Sequence, residues 1–138
     1  MCKVLVVDDN EGLRTALGIA LTRRGHEVDL AAGATQALAE LAQRRHDWAV
    51  LDMRMPGMSG LDLAREMRRL RPDMRVVLMS SYEPPDDATL REIGAVGFLE
   101  KPFEIERLCS VMQEGEQHCN GYESARSRDT RPDAWTEG

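Results

Sequence analysis

Five polar residues each stand at or just past the end of an apolar stretch of the sequence, and their types suit phosphoryl-group chemistry. They are Asp8, Asp9, Asp52, Ser80 and Lys101. A charged side chain at the end of a buried strand is costly unless a cation or another partner compensates its charge. Asp52 is the clearest case, because it closes the apolar residues 48–51 and a Pro-Gly pair follows soon after it. A carboxylate in this position indicates a site rather than a solvated surface.

Three of the five residues predict a metal site. Carboxylates that share one pocket repel each other, and without a cation at least one of their pKa values would rise. Carboxylates and water suit Mg²⁺, or alternatively Mn²⁺, better than softer metals, so Asp8, Asp9 and Asp52 are the candidate ligands. No histidine lies near these residues in the sequence, which argues against zinc.

The other two residues complete a site for an incoming phosphoryl group. The ammonium of Lys101 would neutralise the phosphoryl oxygens, and the hydroxyl of Ser80 would donate a hydrogen bond to them. Asp52 is the predicted nucleophile, because it lies at the end of the central strand and can point between the metal and the ammonium.

The elements that must position these residues are strands and helices in alternation. Strand-like patterns occupy residues 3–7, 27–31, 48–51, 75–79 and 96–99. Their continuous apolarity predicts strands that are covered on both faces. Alternation with helical patterns predicts an α/β fold with a parallel sheet and helices on both faces. In such sheets ligands bind at the carboxyl ends of the strands, where all five polar residues fall.

The helix boundaries also have signals in the sequence. Gly25 would stop the first helix, Ser59 would cap the third, and Pro84-Pro85-Asp86 would open the fourth. The fifth follows Pro102 and is expected to fray near residue 113. The residues of the third helix that are predicted to face the core are Leu61, Ala64, Met67 and Leu70.

Length and composition restrict the domain organisation. The 138 residues suffice for one domain, predicted over residues 1–113, and the polar, aperiodic residues 114–138 predict a flexible tail. A net charge of −6 argues against direct nucleic-acid binding. Neither a membrane-spanning run nor a signal-peptide pattern is present, so we expect a cytoplasmic protein that does not bind membranes. The three cysteines lack metal or disulfide spacing and are expected to be thiols.

The motifs resemble the receiver domain of bacterial two-component response regulators, of the single-domain, chemotaxis-regulator type. They are VVDD at residues 6–9, DMRMPGMSG at 52–60, MSS at 79–81 and GFLEKPF at 97–103. The resemblance covers residues 3 to about 113 and keeps the order and spacing of the family's motifs. It implies a flavodoxin-like (βα)5 fold with strand order 2-1-3-4-5.

The resemblance also implies roles for the site residues. Asp52 would accept a phosphoryl group from a histidine kinase or a phosphotransfer protein, in a reaction that requires Mg²⁺. Asp9 and Asp52 would bind the metal directly, Asp8 largely through water, and Arg54 through its main-chain carbonyl. Ser80 and Lys101 would contact the phosphoryl oxygens. The switch residues would be Ser80 and Phe98, and a fixed core ring is the alternative interpretation of Phe98.

Two bulky residues are expected to tune dephosphorylation. Arg54 lies two positions after Asp52, and Tyr82 lies two positions after Ser80. Side chains in these places should hinder an in-line water, so autodephosphorylation should be slow. Apart from its own phosphorylation and dephosphorylation, the chain is expected to have no enzymatic activity.

The expected output is a protein contact. By the resemblance, phosphorylation changes the face formed by the fourth helix, fifth strand and fifth helix, which would bind a downstream protein or support a phosphorylation-dependent homodimer. The main alternative is that the chain is the amino-terminal receiver of a longer DNA-binding transcriptional regulator. A metal-dependent phosphohydrolase of the haloacid-dehalogenase type would need an Asp where Arg54 stands.

Overall fold

The backbone alternates strands and helices from its first strand to its last helix. The computed structural model describes the backbone of residues 2–120 and the side chains of residues 2–114. The strands are β1 Lys3–Val7, β2 Glu27–Ala31, β3 Trp48–Asp52, β4 Arg75–Ser80 and β5 Ala95–Glu100. The helices are α1 Glu11–Arg23, α2 Ala34–Gln43, α3 Gly60–Leu70, α4 Asp87–Glu92 and α5 Ile105–Asn120.

The five strands form one parallel sheet in the order β2-β1-β3-β4-β5. This order confirms the predicted flavodoxin-like topology. The chain reverses its direction of winding at β1, so β1 and β3 lie side by side at the switch point. Their register pairs Val7 with Leu51, which brings the residues after both strands to the same edge.

Each face of the sheet carries its own apolar core, because successive strand side chains point to opposite faces. On one face Leu5, Leu51 and Leu78 pack with residues of α2, α3 and α4. On the other face Val50 and Met79 pack with residues of α1 and α5. The predicted covering of both faces is therefore confirmed.

Several helix ends follow the predicted chemistry. Ser59 caps α3 by accepting a hydrogen bond from the N–H of Asp62 at 3.2 Å, and Asp86 caps α4 through the N–H of Thr89 at 2.9 Å. Gly25 follows α1 with a φ of 94°, a left-handed conformation that suits glycine.

Two expectations about the helices were wrong. Leu70 does not face the core and is 41% exposed, whereas Leu63 is fully buried. The reason is that Arg71 takes the next position on the buried stripe after Met67, and its Nη2 donates to the carbonyl of Leu41 at 2.8 Å. Helix α5 also continues to Asn120, past the fraying expected near residue 113. Residues 121–138 of the predicted tail lie outside the described part of the chain.

Candidate functional site

The carboxyl ends of β1 and β3 bring three carboxylates together. Asp8, Asp9 and Asp52 each have a carboxylate oxygen within 4.8 Å of the others. Asp8 is fully buried and Asp52 is 5% exposed, whereas Asp9 is exposed to solvent. The loops after two neighbouring strands of a parallel sheet therefore form one acidic pocket, as the sequence predicts.

Lys101 closes this pocket from the end of β5. Its Nζ lies 3.0 Å from Oδ2 of Asp8 and 3.2 Å from Oδ1 of Asp52. Its main-chain N–H donates to the carbonyl of Ser80 at 2.8 Å, which fixes the start of the loop that continues through a cis peptide bond to Pro102. One ammonium thus bridges two of the three carboxylates.

Hydrogen bonds fix both the side chain and the main chain of Asp8. Its Oδ1 accepts from the N–H of Asn10 at 2.9 Å, and its main-chain N–H donates to the carbonyl of Ala31 at 3.1 Å. Its main-chain carbonyl accepts from Nη1 of Arg14 at 2.7 Å. The bond to Oδ1 stabilises a buried charge that would otherwise be costly, and the two main-chain bonds fix the position of the residue.

The first helix is capped by Asn10 and not by the two aspartates before it. The side chain of Asn10 accepts from the N–H of Leu13 at 3.0 Å. Asp8 and Asp9 are therefore free of the capping role that many aspartates have, and their place in the pocket needs another explanation.

The pKa of Asp52 is raised above its ordinary value of 3.8. Burial is the main cause, and the negative charge of Asp8 adds to it; Lys101 and a hydrogen bond from the main chain of Arg54 oppose both. Three carboxylates share the pocket with one ammonium, and a divalent cation would offset the remaining negative charge.

The pKa of Lys101 is also raised. Burial lowers it, but the hydrogen bonds and negative charges of Asp8 and Asp52 raise it by more. The ammonium therefore stays charged at neutral pH, which is what contact with phosphoryl oxygens requires.

Ser80 ends β4 next to Asp52, since the register pairs Asp52 with Met79. The Ser80 side chain is buried, and its Oγ accepts from the N–H of Tyr82 at 3.0 Å. A hydroxyl that accepts one hydrogen bond still has its own proton to donate.

Arg54 and Tyr82, from the loops that follow β3 and β4, contact each other. The guanidinium carbon of Arg54 lies 4.2 Å from the centroid of the Tyr82 ring, a cation–π contact between the loop after β3 and the loop after β4. Both side chains are exposed, and the Tyr82 ring is more than half exposed. The sequence placed each residue near the site but gave no sign that they stack on each other.

Phe98 is a buried ring on β5, 4% exposed, in the core beneath α4. The same core contains Leu90 of α4 and Ile93, which follows that helix. Both interpretations of Phe98, a switch residue and a fixed core ring, are compatible with this position.

The glycine that opens α3 allows the helix to approach the site closely. The Gly60 N–H donates to the carbonyl of Met53 at 2.9 Å. A Cβ atom at Gly60 would lie 2.6 Å from Cα of Met53 and nearer still to the carbonyl oxygen of Asp52. Sequence analysis missed this contact, and also missed Asn10 and Arg14. Asn10 could have been found, because an Asn before a helical pattern is a common cap.

The donor set of the acidic pocket fits a hard divalent cation, since all three side chains offer carboxylate oxygens. A second group with similar spacing, Asp29, Glu40 and His46, lies elsewhere in the described residues. There Asp29 is already in contact with Nε2 of His46 at 2.7 Å and with Nη1 of Arg44 at 3.3 Å. The first pocket, whose three ligands are all carboxylates, suits a hard cation better than this group, which includes an imidazole.

Comparison with known proteins decides the family. The sequence matches the family described as the response regulator receiver domain over residues 4–113. The chain belongs to the response regulator receiver domain family. Family membership agrees with the resemblance seen in the motifs, and so do the strand order and the acidic pocket. It also associates the chain with two-component signal transduction.

Relatives of this receiver domain differ in length. The chain is 37% identical over 111 residues to the DNA-binding transcriptional regulator NtrC of Azospirillum brasilense, covering 80% of this chain and 23% of NtrC. It is 34% identical over 107 residues to sporulation initiation phosphotransferase F of Bacillus subtilis, covering 77% of this chain and 86% of that protein. The chain thus spans less than a quarter of the first relative and most of the second.

A solved structure supports the fold of the receiver domain. Response regulator TrrA of Thermotoga maritima, determined in complex with Mg²⁺-BeF, is 30% identical, with a TM-score of 0.74. The similarity covers 83% of this chain and 98% of TrrA. Among the residues that the structure describes, no helix is long and apolar enough to cross a membrane.

Proposed function

We propose that Asp52 is the phospho-acceptor of this receiver domain. The observation that carries the proposal is the position of its carboxylate at the carboxyl edge, 3.2 Å from the ammonium of Lys101 and beside the buried charge of Asp8. A nucleophile needs an accessible oxygen and a nearby cation for the charge that the phosphoryl group brings. Asp52 has the nearby cation and keeps an exposed fraction of 5%, whereas Asp8 is fully buried with both carboxylate oxygens engaged by Asn10 and Lys101.

In the proposed reaction a carboxylate oxygen of Asp52 attacks the phosphorus of a phosphohistidine on a histidine kinase or a phosphotransfer protein. The new P–O bond forms as the P–N bond breaks, and the imidazole keeps the electron pair of that bond. Lys101 and Ser80 would contact the oxygens of the transferred group. Lys101 would then exchange its contact with Asp52 for a contact with the phosphoryl group.

Mg²⁺ is the cofactor that the site fits best, with Mn²⁺ as the alternative. Asp9 and Asp52 would bind it directly, Asp8 mainly through water, and the main-chain carbonyl of Arg54 would complete the protein ligands. When bound, the ion would neutralise negative charge on the carboxylates and on the phosphoryl oxygens. The raised pKa of Asp52, caused first by burial and then by the charge of Asp8, is compatible with this assignment, and the three carboxylates that share the pocket with one ammonium support it.

The stacked pair of Arg54 and Tyr82 is proposed to slow loss of the phosphoryl group. Hydrolysis of an acyl phosphate needs a water in line with the bond that breaks, and the two exposed side chains, which stack on each other close in sequence to Asp52 and Ser80, would hinder that water. Their mutual contact would restrict the movement of both.

The proposed signal passes from Ser80 and Phe98 to the face made by α4, β5 and α5. A phosphoryl group adds about two negative charges, which a small domain can convert into a change of surface. The proposed partner is a downstream protein on this face, or a second copy in a phosphorylation-dependent homodimer. Within residues 2–114 we assign no direct contact with nucleic acid and no membrane contact, and we propose a cytoplasmic location.

A second candidate is a receiver that regulates an attached DNA-binding segment. The similarity to NtrC, of which this chain matches 23%, favours it. The length of the open reading frame that encodes the chain distinguishes the two candidates.

The phospho-acceptor assignment is tested by incubating the protein with acetyl phosphate, with Mg²⁺ or with EDTA, and measuring the intact mass. We expect a mass gain of one phosphoryl group with Mg²⁺, none with EDTA, and none for Asp52→Asn under either condition. Asp29→Asn is the matched control and should be modified like the wild type. An unmodified wild-type protein in Mg²⁺, or a modified Asp52→Asn variant, would refute the assignment.

A further inference from the structure

Arg14 is an arginine of α1 whose side chain reaches back to the acidic pocket. Its Nη1 donates to the main-chain carbonyl of Asp8 at 2.7 Å. Arg14 lies at the start of α1, which begins at Glu11. A cation at this end of a helix is disfavoured by the helix dipole, so stabilisation of the helix does not explain the residue.

The carbonyl that Arg14 holds belongs to the peptide bond between Asp8 and Asp9. A peptide bond is planar, so a bond that fixes its carbonyl also fixes the N–H and the Cα atom of the next residue. The N–H of Asp8 is fixed separately, since it donates to the carbonyl of Ala31 at 3.1 Å. Arg14 therefore orients the stretch of main chain from which the carboxylate of Asp9 projects.

Asp9 is the carboxylate of the pocket that gains most from such support. Asp8 is fully buried, and its carboxylate oxygens accept from the N–H of Asn10 and from the ammonium of Lys101. Asp52 is the last residue of the buried strand β3. Asp9, by contrast, is exposed and lies beyond the end of β1. An exposed ligand on a loosely held main chain would lose more conformational freedom when it binds an ion.

We propose that Arg14 is a positioning residue, which raises the affinity of the acidic pocket for its divalent cation by orienting Asp9. The inference rests on the proposed function, in which Asp9 binds the ion directly. Arg14 would act through the main chain of Asp8 and would contact neither the ion nor the phosphoryl group. Loss of a group that orients a metal ligand typically lowers metal affinity about tenfold or more.

The charge of Arg14 separates this role from simple electrostatics. A guanidinium close to the pocket repels an incoming cation, so removal of its charge alone should strengthen metal binding. Removal of the hydrogen bond to Asp8 should instead weaken metal binding, because Asp9 loses its orientation. The acceptor of that bond is a neutral carbonyl, so no carboxylate loses an ionic partner in the bond itself. The two effects of Arg14 on the metal therefore have opposite signs.

The test measures binding of Mn²⁺ to the full chain by electron paramagnetic resonance, in which the signal of the free ion falls on binding. Arg14→Met removes the donor from a side chain of similar length and should weaken binding about tenfold. Arg14→Lys keeps a charged donor and should give an affinity between those of the wild type and Arg14→Met. Arg23→Met removes an exposed arginine from the last turn of the same helix and should change the affinity by no more than about twofold, since distant exposed charges are screened.

A second measurement separates this role from the phospho-acceptor assignment. The rate of phosphorylation by acetyl phosphate is followed by intact mass at increasing Mg²⁺ concentration. For Arg14→Met the Mg²⁺ concentration that gives half of the maximal rate should rise about tenfold, and the rate at saturating Mg²⁺ should stay within about twofold of the wild type. If the wild type binds Mn²⁺ but is not phosphorylated, the function proposed for Asp52 fails, and the Mn²⁺ affinities still decide the role of Arg14.

Two controls keep the outcome unambiguous. Circular dichroism verifies that each variant is folded at the temperature of the measurement, and Mn²⁺ binding that survives Asp9→Asn is subtracted because it lies outside the pocket. The proposal is overturned if Arg14→Met binds Mn²⁺ as tightly as the wild type or more tightly. It is also overturned if Arg23→Met loses as much affinity as Arg14→Met, or if the wild type shows no Mn²⁺ binding that Asp9→Asn removes.

Discussion

The ammonium of Lys101 lies 3.0 Å from a carboxylate oxygen of Asp8, although the two residues are 93 positions apart in the chain. The contact joins the end of the edge strand β5 to the end of β1 across the site, because the same ammonium also reaches Asp52. The arrangement leaves three carboxylates against one cation, and this imbalance has measurable consequences for stability.

Asp52→Asn is expected to raise the melting temperature in EDTA at pH 7, by about 3 °C. The pKa of Asp52 is raised in the folded state, so the folded protein holds this proton more tightly than the unfolded chain. The charged carboxylate therefore destabilises the fold above its folded pKa, and the penalty disappears as the pH falls below the unfolded value of 3.8. Thermal unfolding followed by circular dichroism from pH 7 to pH 4 measures this difference in melting temperature. Asp9→Asn, which removes an exposed carboxylate, should raise the melting temperature by less. If the rise for Asp52→Asn stayed constant down to pH 4, the explanation would be contradicted.

Mg²⁺ should stabilise the wild-type protein. With a dissociation constant on the order of 1 mM, about 10 mM Mg²⁺ adds about 1.4 kcal/mol to the free energy of unfolding, because the ion binds only the folded state. Asp9→Asn should abolish this gain. Asp29→Asn, in the second acidic group, should keep it. Urea unfolding with and without Mg²⁺ measures the difference, and an equal loss in both variants would place the ion elsewhere.

Gly60→Ala should destabilise the fold by about 3 kcal/mol or more, since the added Cβ meets main-chain atoms of residues 52 and 53 that cannot move aside. Gly12→Ala is the matched control, because its Cβ would meet only the Asn10 side chain, at an ordinary 3.4 Å. That substitution should be neutral or stabilising by up to about 1 kcal/mol, as alanine favours helix. Equal effects of the two substitutions in urea unfolding would show that α3 can move away from the site.

Loss of the phosphoryl group should be faster after Arg54→Ala or Tyr82→Ala. An exposed cation–π contact is worth about 0.5–1 kcal/mol, so each substitution should raise the dephosphorylation rate about two- to fivefold. The dephosphorylation rate of the double variant should rise by less than the product of the two single increases, because either substitution alone already removes the contact between the residues. Tyr82→Phe keeps the ring and should behave like the wild type. Decay of phosphorylated protein, followed by intact mass, gives the rates; multiplicative effects would argue against a coupled pair.

The corrected packing of α3 predicts that two of its leucines contribute very differently to the free energy of unfolding. Leu63→Ala should destabilise by about 2–5 kcal/mol, because it opens a cavity in a fully buried position. Leu70→Ala should change the free energy of unfolding by less than about 1 kcal/mol. A large loss at Leu70 in urea unfolding would restore the original sequence interpretation.

Most of the fold could be predicted from the sequence, because its inner strands β1, β3 and β4 are largely continuous apolar runs and its helices have residues such as Ser59 and Asp86 at their starts. The strand ends predicted the gathering of Asp8, Asp9, Asp52 and Lys101, since parallel strands end at one edge.

Other features depend on contacts between distant residues, which a local pattern does not contain. Arg71 displaces Leu70 from the core only because the carbonyl of Leu41 lies within its reach. The stack of Arg54 on Tyr82 depends on the relative position of two loops, and the approach of Gly60 to Asp52 depends on where α3 begins. The family match ends at residue 113, where the domain boundary was predicted, and the domain division itself stays a prediction.

The stack of Arg54 on Tyr82 links the two loops that follow β3 and β4. Tyr82 is tied by its N–H to Ser80, and the main chain of Arg54 is bonded to the side chain of Asp52. The N–H of Met53 donates to the carbonyl of Met79 at 2.9 Å, so the backbone joins Asp52 to Ser80 and closes a ring of contacts through Arg54 and Tyr82. A displacement of the Ser80 hydroxyl is therefore expected to reach both loops.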